Sequence, residues 1–390
     1  MTTTHPAAPD GTVEPFVPTV DDAVLEDLRE RLRRTRWPDQ VEGSGWDLGT
    51  DTAWLRSFCT TWAEEFSWAE AQARLEAHEN LLVHVDGLRL HVLRERGTRA
   101  PGVEPLPLVL LHGWPSSFVQ MLPVVGPLAH PERYGGDPAD AFDVVALSLP
   151  GYGFSDRPRE RGWDVARTAR ALVRVMSALG HERFAARGSD LGAGVLQQLA
   201  LREPERLAAL HLSGTNPWIG QVPGDLTDAE REFVQRAQQW SASEMAYAAE
   251  HATKPQTLAH ALNDSPAGLA SWVLEKFRTW SDCGGDLDSV YERADLLTNL
   301  TVYWATQTIG SSVRLYAETA RSTTAAWGRV EVPTGMAMSA ADMFPTPREW
   351  AERSYRVTSW TELERGGHFL EQEVPDLVVA DVRRFFAGFR

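Results

Sequence analysis

Cysteine is nearly absent: Cys59 and Cys283 are the only two in 390 residues. A disulfide framework is thereby excluded as the basis of the fold, and the chain suits a reducing cytoplasm. No apolar run reaches the roughly 18 residues that a membrane span requires. The first 20 residues hold Pro6, Asp10, Glu14 and Pro18 where a signal peptide would have an apolar core. Positive charge is scarce too. Against 54 Asp and Glu stand 38 Lys and Arg, a formal charge of −16 that repels nucleic acid and anionic membranes alike. Internal repeats and low-complexity tracts are missing. What remains is a cytoplasmic globular protein whose partners are neither nucleic acid nor membrane.

An apolar content of 43% with 15 Trp provides for a substantial core, in one large α/β domain with insertions or in two domains. Residues 1 to about 14, polar and rich in Thr and Pro, are expected as a disordered tail. Thr19 and Asp22 can cap a helix with the apolar face Val24, Leu25, Leu28 and Leu32, and Trp54, Leu55, Phe58, Trp62 and Phe66 outline a second. Residues 1–80 thus form an N-terminal helical segment that wraps the rest. From Leu81 strands take over, with Asp86-Gly87 as a two-residue hairpin signal. Apolar runs at Leu106–Leu111, Phe142–Leu147 and Leu207–Leu212 alternate with helical spacing, the signature of a doubly wound, mostly parallel sheet over 81–219. From 220 to 328 the signals are helical, opening with the capping pair Thr227 and Glu230, and this stretch reads as an inserted lid. Strand signals return at Arg329–Val332 and near Tyr355–Trp360, so 329–390 completes the sheet domain.

The chemistry centres on Arg187-Gly188-Ser189-Asp190-Leu191-Gly192-Ala193-Gly194, between the apolar segment Phe184–Ala186 and the helical face Val195, Leu196 and Leu199. Strand, sharp turn and helix, with glycines two residues either side of a reactive side chain, is the pattern of a nucleophile elbow. Centring it on Ser189 would put Arg187 and Leu191 where small residues are needed; centring it on Asp190 puts Gly188 and Gly192 there. A carboxylate that attacks an acyl carbon gives an anhydride. One that attacks an sp³ carbon gives an alkyl ester that water can cleave, so epoxides and alkyl halides are the fitting substrates. A turn with a solvated Asp is the bland alternative. A dinucleotide loop fits worse, because Gln197 stands where its third glycine would be.

Gly366-Gly367-His368-Phe369 follows the last strand and can present His368 as general base. The orienting carboxylate should precede it, after the strand ending at Val332. Asp342 fits, with Glu331 and Glu349 as weaker rivals, while Asn216 cannot carry the charge. His112-Gly113-Trp114-Pro115 follows another strand and can turn the Trp114 N–H towards the Leu191 N–H, forming an oxyanion hole for the step in which water attacks the ester.

Together with Gly151-Tyr152-Gly153-Phe154-Ser155, these motifs resemble those of epoxide hydrolases of the α/β-hydrolase fold. The microsomal-type branch is nearer. It is marked by the N-terminal helical segment, by Thr253-Lys254-Pro255-Gln256-Thr257, by Asn263–Leu269, and by Leu296–Leu300 through Tyr303-Trp304 to Arg314-Leu315-Tyr316. The resemblance implies two lid tyrosines that protonate the epoxide oxygen: Tyr247 and Tyr316, with Tyr303 as the nearest impostor. It implies Asp190 as nucleophile, His368 as base, Asp342 as charge-relay acid, a vicinal diol as product, no metal or organic cofactor, and a homodimer. Three departures stand out. Leu191 replaces the usual Trp and opens space for a bulky aromatic or secondary-metabolite epoxide. The membrane anchor of animal members is missing, and Asp342 is one methylene shorter than the Glu of many relatives. The Ala- and Arg-rich composition points to a high-GC bacterium, in which relatives serve detoxification or secondary metabolism. A dehalogenase with the same Asp-His-Asp parts is the alternative, although Leu191 supplies neither the Trp nor the Arg that such enzymes place after the nucleophile. A non-catalytic binding protein of the same fold is the more distant one.

Overall fold

The computed structural model describes residues 8–214, 222–343 and 345–390. Among these residues, nine strands make one sheet: Val13–Pro15 (β1), Glu79–Val85 (β2), Leu88–Glu95 (β3), Leu106–Leu111 (β4), Phe142–Leu147 (β5), Phe184–Ser189 (β6), Leu207–Ser213 (β7), Val330–Ser339 (β8) and Tyr355–Leu363 (β9). Their order across the sheet is β1-β2-β3-β5-β4-β6-β7-β8-β9. From β5 to β9 every pairing is parallel, whereas β1, β2 and β3 run antiparallel to their neighbours. This is the expected doubly wound, mostly parallel sheet.

Successive side chains of a strand face opposite sides, and a sheet covered on both sides needs apolar residues at every position. The run in β4 supplies them. Val109 and Leu111 pack beneath the helices Val165–Ala178 and Asp190–Arg202, while Leu108 and Leu110 meet the helices Leu122–Ala129 and Pro375–Phe386 on the other face. The β2–β3 hairpin turns at Asp86 and Gly87 with φ of 52° and 74°, the left-handed pair that its dipeptide favours.

Three local expectations change. The tail does not stay free to residue 14: Val13 to Pro15 pair with β2, Val13 opposite Val83, and cover that sheet edge. The strand expected to stop at Val332 runs on to Ser339, because the register shifts around Thr334 and so accommodates Pro333, which has no N–H for the ladder. The first helix, Asp22–Arg33, is capped by Asp21 rather than Thr19 or Asp22.

Between β7 and β8 lie the lid helices Asp228–Glu244, Ala246–Thr253, Pro255–Asp264, Pro266–Trp280, Arg293–Thr306 and Ile309–Ala320. Thr227 and Glu230 form the capping box read from the sequence. The expected start of the lid at 220 and Asn216 lie outside the described residues. The N-terminal helices, including Trp68–Glu76, which the sequence reading passed over, do not extend the sheet. They grip the lid: Trp62 Nε1 donates to Thr301 Oγ1 at 2.9 Å, Arg31 pairs with Asp264 at 2.7 Å, and Arg74 with Asp295 at 2.5 Å. The loops that follow β4, β6 and β8 meet beneath the lid at the carboxyl ends of the parallel strands, where ligands of such sheets bind.

Candidate active site

Asp190 directly follows β6 and opens the helix Asp190–Arg202 with φ of 51°, and its N–H donates to Gly214 O at 3.0 Å. Asp is among the few residues that tolerate this left-handed conformation. Such a turn fits only if its neighbours are small. A Cβ on Gly113 would lie 2.3 Å from Asp190 Cβ, one on Gly192 2.5 Å from Leu111 O, and one on Gly188 3.0 Å from Leu196 Cδ1.

The Asp190 carboxylate is divided between two partners. Oδ1 accepts the Trp114 N–H at 2.9 Å, and Oδ2 faces His368 Nε2 at 3.6 Å. The Leu191 N–H lies in the first turn of the helix, where N–H groups have no partner within the helix. The loop bearing Trp114 is fixed from several sides. His112 Nδ1–H donates to Gly113 O at 3.0 Å while Nε2 accepts the Leu149 N–H at 3.3 Å, and burial holds this imidazole neutral, its pKa pushed down to about 4. From the lid, Asn299 donates to Pro115 O at 3.1 Å and Tyr303 OH to Ser116 O at 2.7 Å.

His368 is buried, and its Nδ1 lies 2.9 Å from Asp342 Oδ1. At 3.6 Å, Nε2 is too far from Asp190 for a hydrogen bond and finds no partner among the described residues. Burial by itself would lower the imidazole pKa, but Asp342 and Asp190 outweigh it and carry the value from 6.5 up to about 10. The rival carboxylates are elsewhere: Glu331 pairs with Arg329 on the surface, and Glu349 is exposed. The sequence reading missed Glu373. Its Oε2 accepts the N–H groups of Gly367, at 2.8 Å, and Asp282, at 2.7 Å, while Oε1 accepts that of Phe369 at 2.8 Å. One carboxylate therefore holds the backbone on both sides of His368. Burial pushes its pKa up, against the pull of those N–H donors.

The lid brings Tyr247 and Tyr316 to the same place. Their rings stand 6.2 Å apart, and both pack on Trp114, Tyr247 stacked at 5.4 Å and Tyr316 edge-on at 6.1 Å. Burial and the Asp190 charge push both phenols above their ordinary value, so each stays a proton donor. The Tyr303 hydroxyl donates to Ser116 O. His251 also went unread. It stands four residues after Tyr247 on one short helix, a spacing that shares a face, and it packs 4.6 Å from Trp114 and 5.0 Å from Tyr316.

Across 96% of its length and 89% of the relative's, the chain is 32% identical to epoxide hydrolase 1 of Oryctolagus cuniculus. A family model described as the epoxide hydrolase N terminus matches residues 13–121, and one described as the alpha/beta hydrolase fold matches residues 107–317. The chain belongs to the epoxide hydrolase family. Its N-terminal segment puts it in the microsomal-type branch, as the resemblance implied. It is also similar to a Stigmatella aurantiaca protein provisionally named as an epoxide hydrolase, at 37% identity over 97% of this chain and 86% of that protein. Among solved structures, the juvenile hormone epoxide hydrolase of Bombyx mori superposes with a TM-score of 0.83 at 30% identity, covering 98% of this chain and 95% of that one. The Aspergillus niger epoxide hydrolase does so at 0.84 with 27% identity, over 97% of each. As an enzyme of this family, the chain opens epoxides with water. Among the described residues, no helix is long and apolar enough to cross a membrane, and no group of His, Cys, Asp and Glu is placed to hold a metal ion.

Proposed function

We propose that this epoxide hydrolase works through a covalent ester on Asp190. The observation that carries the reading is the divided carboxylate, one oxygen on the Trp114 N–H and the other turned to His368 at 3.6 Å, with two phenols in the wall beyond. A carboxylate oxygen attacks one epoxide carbon, the C–O bond to that carbon breaks, and the leaving oxygen takes a proton from Tyr247 or Tyr316. The tyrosinate recovers its proton from the His368 imidazolium; the neutral Nε2 then takes a proton from water, and the hydroxide attacks Cγ of the ester. Negative charge gathers on the former carboxylate oxygen, beside the Trp114 N–H and within reach of the Leu191 N–H. Collapse breaks the Cγ–O bond to the substrate, the leaving alkoxide takes the proton of the new carboxyl, and the diol departs with Asp190 restored as a carboxylate. Asp342 holds the imidazole by Nδ1 and balances the imidazolium. Every proton comes from and returns to a side chain or water, and the cycle requires no cofactor.

Leu191, half-buried beside the nucleophile, is smaller than an indole and leaves room for a bulky aromatic or secondary-metabolite epoxide. Both cysteines are buried and free, which suits a reducing cytoplasm. Bacterial detoxification or secondary metabolism, and a homodimer in solution, complete the reading.

Intact-mass spectrometry of His368→Gln tests it. Without the base the first step still runs, so incubation with an aryl epoxide should add the mass of the whole epoxide, located on the Asp190 peptide. No adduct from epoxides, with one from alkyl halides that lacks the halide, would replace the reading with a dehalogenase.

A further inference from the structure

His251 is fully buried inside the catalytic wall, yet the catalytic cycle gives it no task. Four rings enclose it: Trp114 at 4.6 Å, Tyr316 at 5.0 Å, Tyr247 at 5.5 Å and Trp272 at 5.9 Å. Two of these rings are the proton donors and a third supplies the backbone N–H on the nucleophile. The protonation state follows from its partners. Trp272 Nε1–H donates to His251 Nε2 at 3.1 Å, so Nε2 offers its lone pair and the ring proton sits on Nδ1. Burial and the nearby Lys276 charge push the pKa down to about 3 and keep the imidazole neutral. Nδ1–H has no acceptor among the described residues, and neither has Nε1–H of Trp114 against it. An N–H donor buried without an acceptor is costly, and native proteins rarely leave two in contact.

We propose that His251 Nδ1–H, with Trp114 Nε1–H beside it, receives an oxygen acceptor that the substrate carries next to its epoxide ring. The enzyme then prefers epoxides bearing an ether or carbonyl oxygen over plain hydrocarbon epoxides of the same shape. This inference rests on the epoxide-opening role of the same site and adds a substrate class to it. It also assigns His251 a part in specificity that leaves the covalent chemistry to Asp190 and His368. The competing role for these groups is an N–H resting on an aromatic face, since His251 meets Trp114 at 82°, a weaker contact that would select no substrate.

A matched pair separates the two: phenyl glycidyl ether and 4-phenyl-1,2-epoxybutane differ only in an oxygen for a methylene. Wild-type enzyme should favour the ether by about tenfold in kcat/KM, the worth of one neutral hydrogen bond. His251→Phe should bring the ratio to within about twofold, and His251→Gln, which keeps an N–H donor, should recover part of it. An equal rate on both epoxides by the wild type, or an unchanged ratio in His251→Phe, overturns the proposal. The wild-type comparison needs no variant, so a misfolded His251→Phe does not rescue it. A wild type that opens neither epoxide, nor any other in a broad panel, would instead sink the functional reading beneath it.

Discussion

At the scale of single residues, the site is a matter of where charges stand. His368 lies between two carboxylates, and its pKa of about 10 means that the free enzyme holds an imidazolium there at neutral pH. An imidazolium cannot take a proton from water. On the proposed mechanism the first half-reaction removes that obstacle, because esterification of Asp190 would delete one of the two anions that raise the imidazole while burial goes on lowering it, and would leave a tyrosinate to take its proton. The base is therefore armed by the step before the one that needs it. Ester decay, followed in single turnovers, should rise with pH through a midpoint clearly below 10, while His368 in the free enzyme, titrated by NMR, keeps the higher value. Coincident midpoints would contradict this. In the proposed mechanism the tyrosines act in the other half. Tyr247→Phe and Tyr316→Phe should each slow ester formation by about tenfold to a hundredfold, the double variant by more than either, and none should alter ester decay once the ester exists. Stopped-flow tryptophan fluorescence with an aryl epoxide resolves the two phases.

At the scale of elements, what could be read from the chain was what local chemistry dictates. Asp86-Gly87 demands positive φ at two successive residues and so announces its hairpin. Glu230 three residues after Thr227 announces a helix start. The glycines around Asp190 announce a turn into which backbone atoms crowd. Asp190, Asp342 and His368, which the structure brings together, could be singled out because each follows a strand end in the order expected of nucleophile, acid and base. Pro333 misled, since a missing N–H reads as the end of a strand, and the sheet tolerates it only through a register shift supplied by its neighbours. Glu373 was invisible for a different reason. A lone Glu near a short helix has no local signature, and its role exists only after the chain has folded back to bring Gly367, Phe369 and Asp282 to it. Glu373→Gln tests that role. An amide nitrogen must then face one of those N–H groups, which should cost about 1–3 kcal/mol in urea unfolding. Ester decay should slow more than ester formation, because the loop it holds carries the base. Equal slowing of both would mark general damage.

At the scale of the whole molecule, the N-terminal segment and the lid act as one cover. The aromatic face of the helix Thr52–Glu64 was legible as something that must be buried, but its partner was not, since contacts between residues more than 200 positions apart leave no mark on either stretch. Trp62 is the anchor, with its indole N–H on Thr301. Trp62→Ala should destabilise the fold by about 3–5 kcal/mol, read by urea unfolding, although the residue lies far along the chain from Asp190. Ester formation should suffer before ester decay does.

That order comes from the way Tyr247 and Tyr316 are mounted. On the proposed mechanism, ring opening takes its electron pair from the sheet and its proton from the lid, so it would proceed only while the two are in register. Hydrolysis of the ester would draw its base and nucleophile from the sheet side, and reaches the lid only through the bonds of Asn299 and Tyr303 to the Trp114 loop and of Glu373 to Asp282. The two rate constants of one turnover therefore form a built-in gauge of how well the molecule is assembled. Any distant change that loosens the cover, whether substitution, solvent or temperature, should be readable as a larger drop in the first rate than in the second.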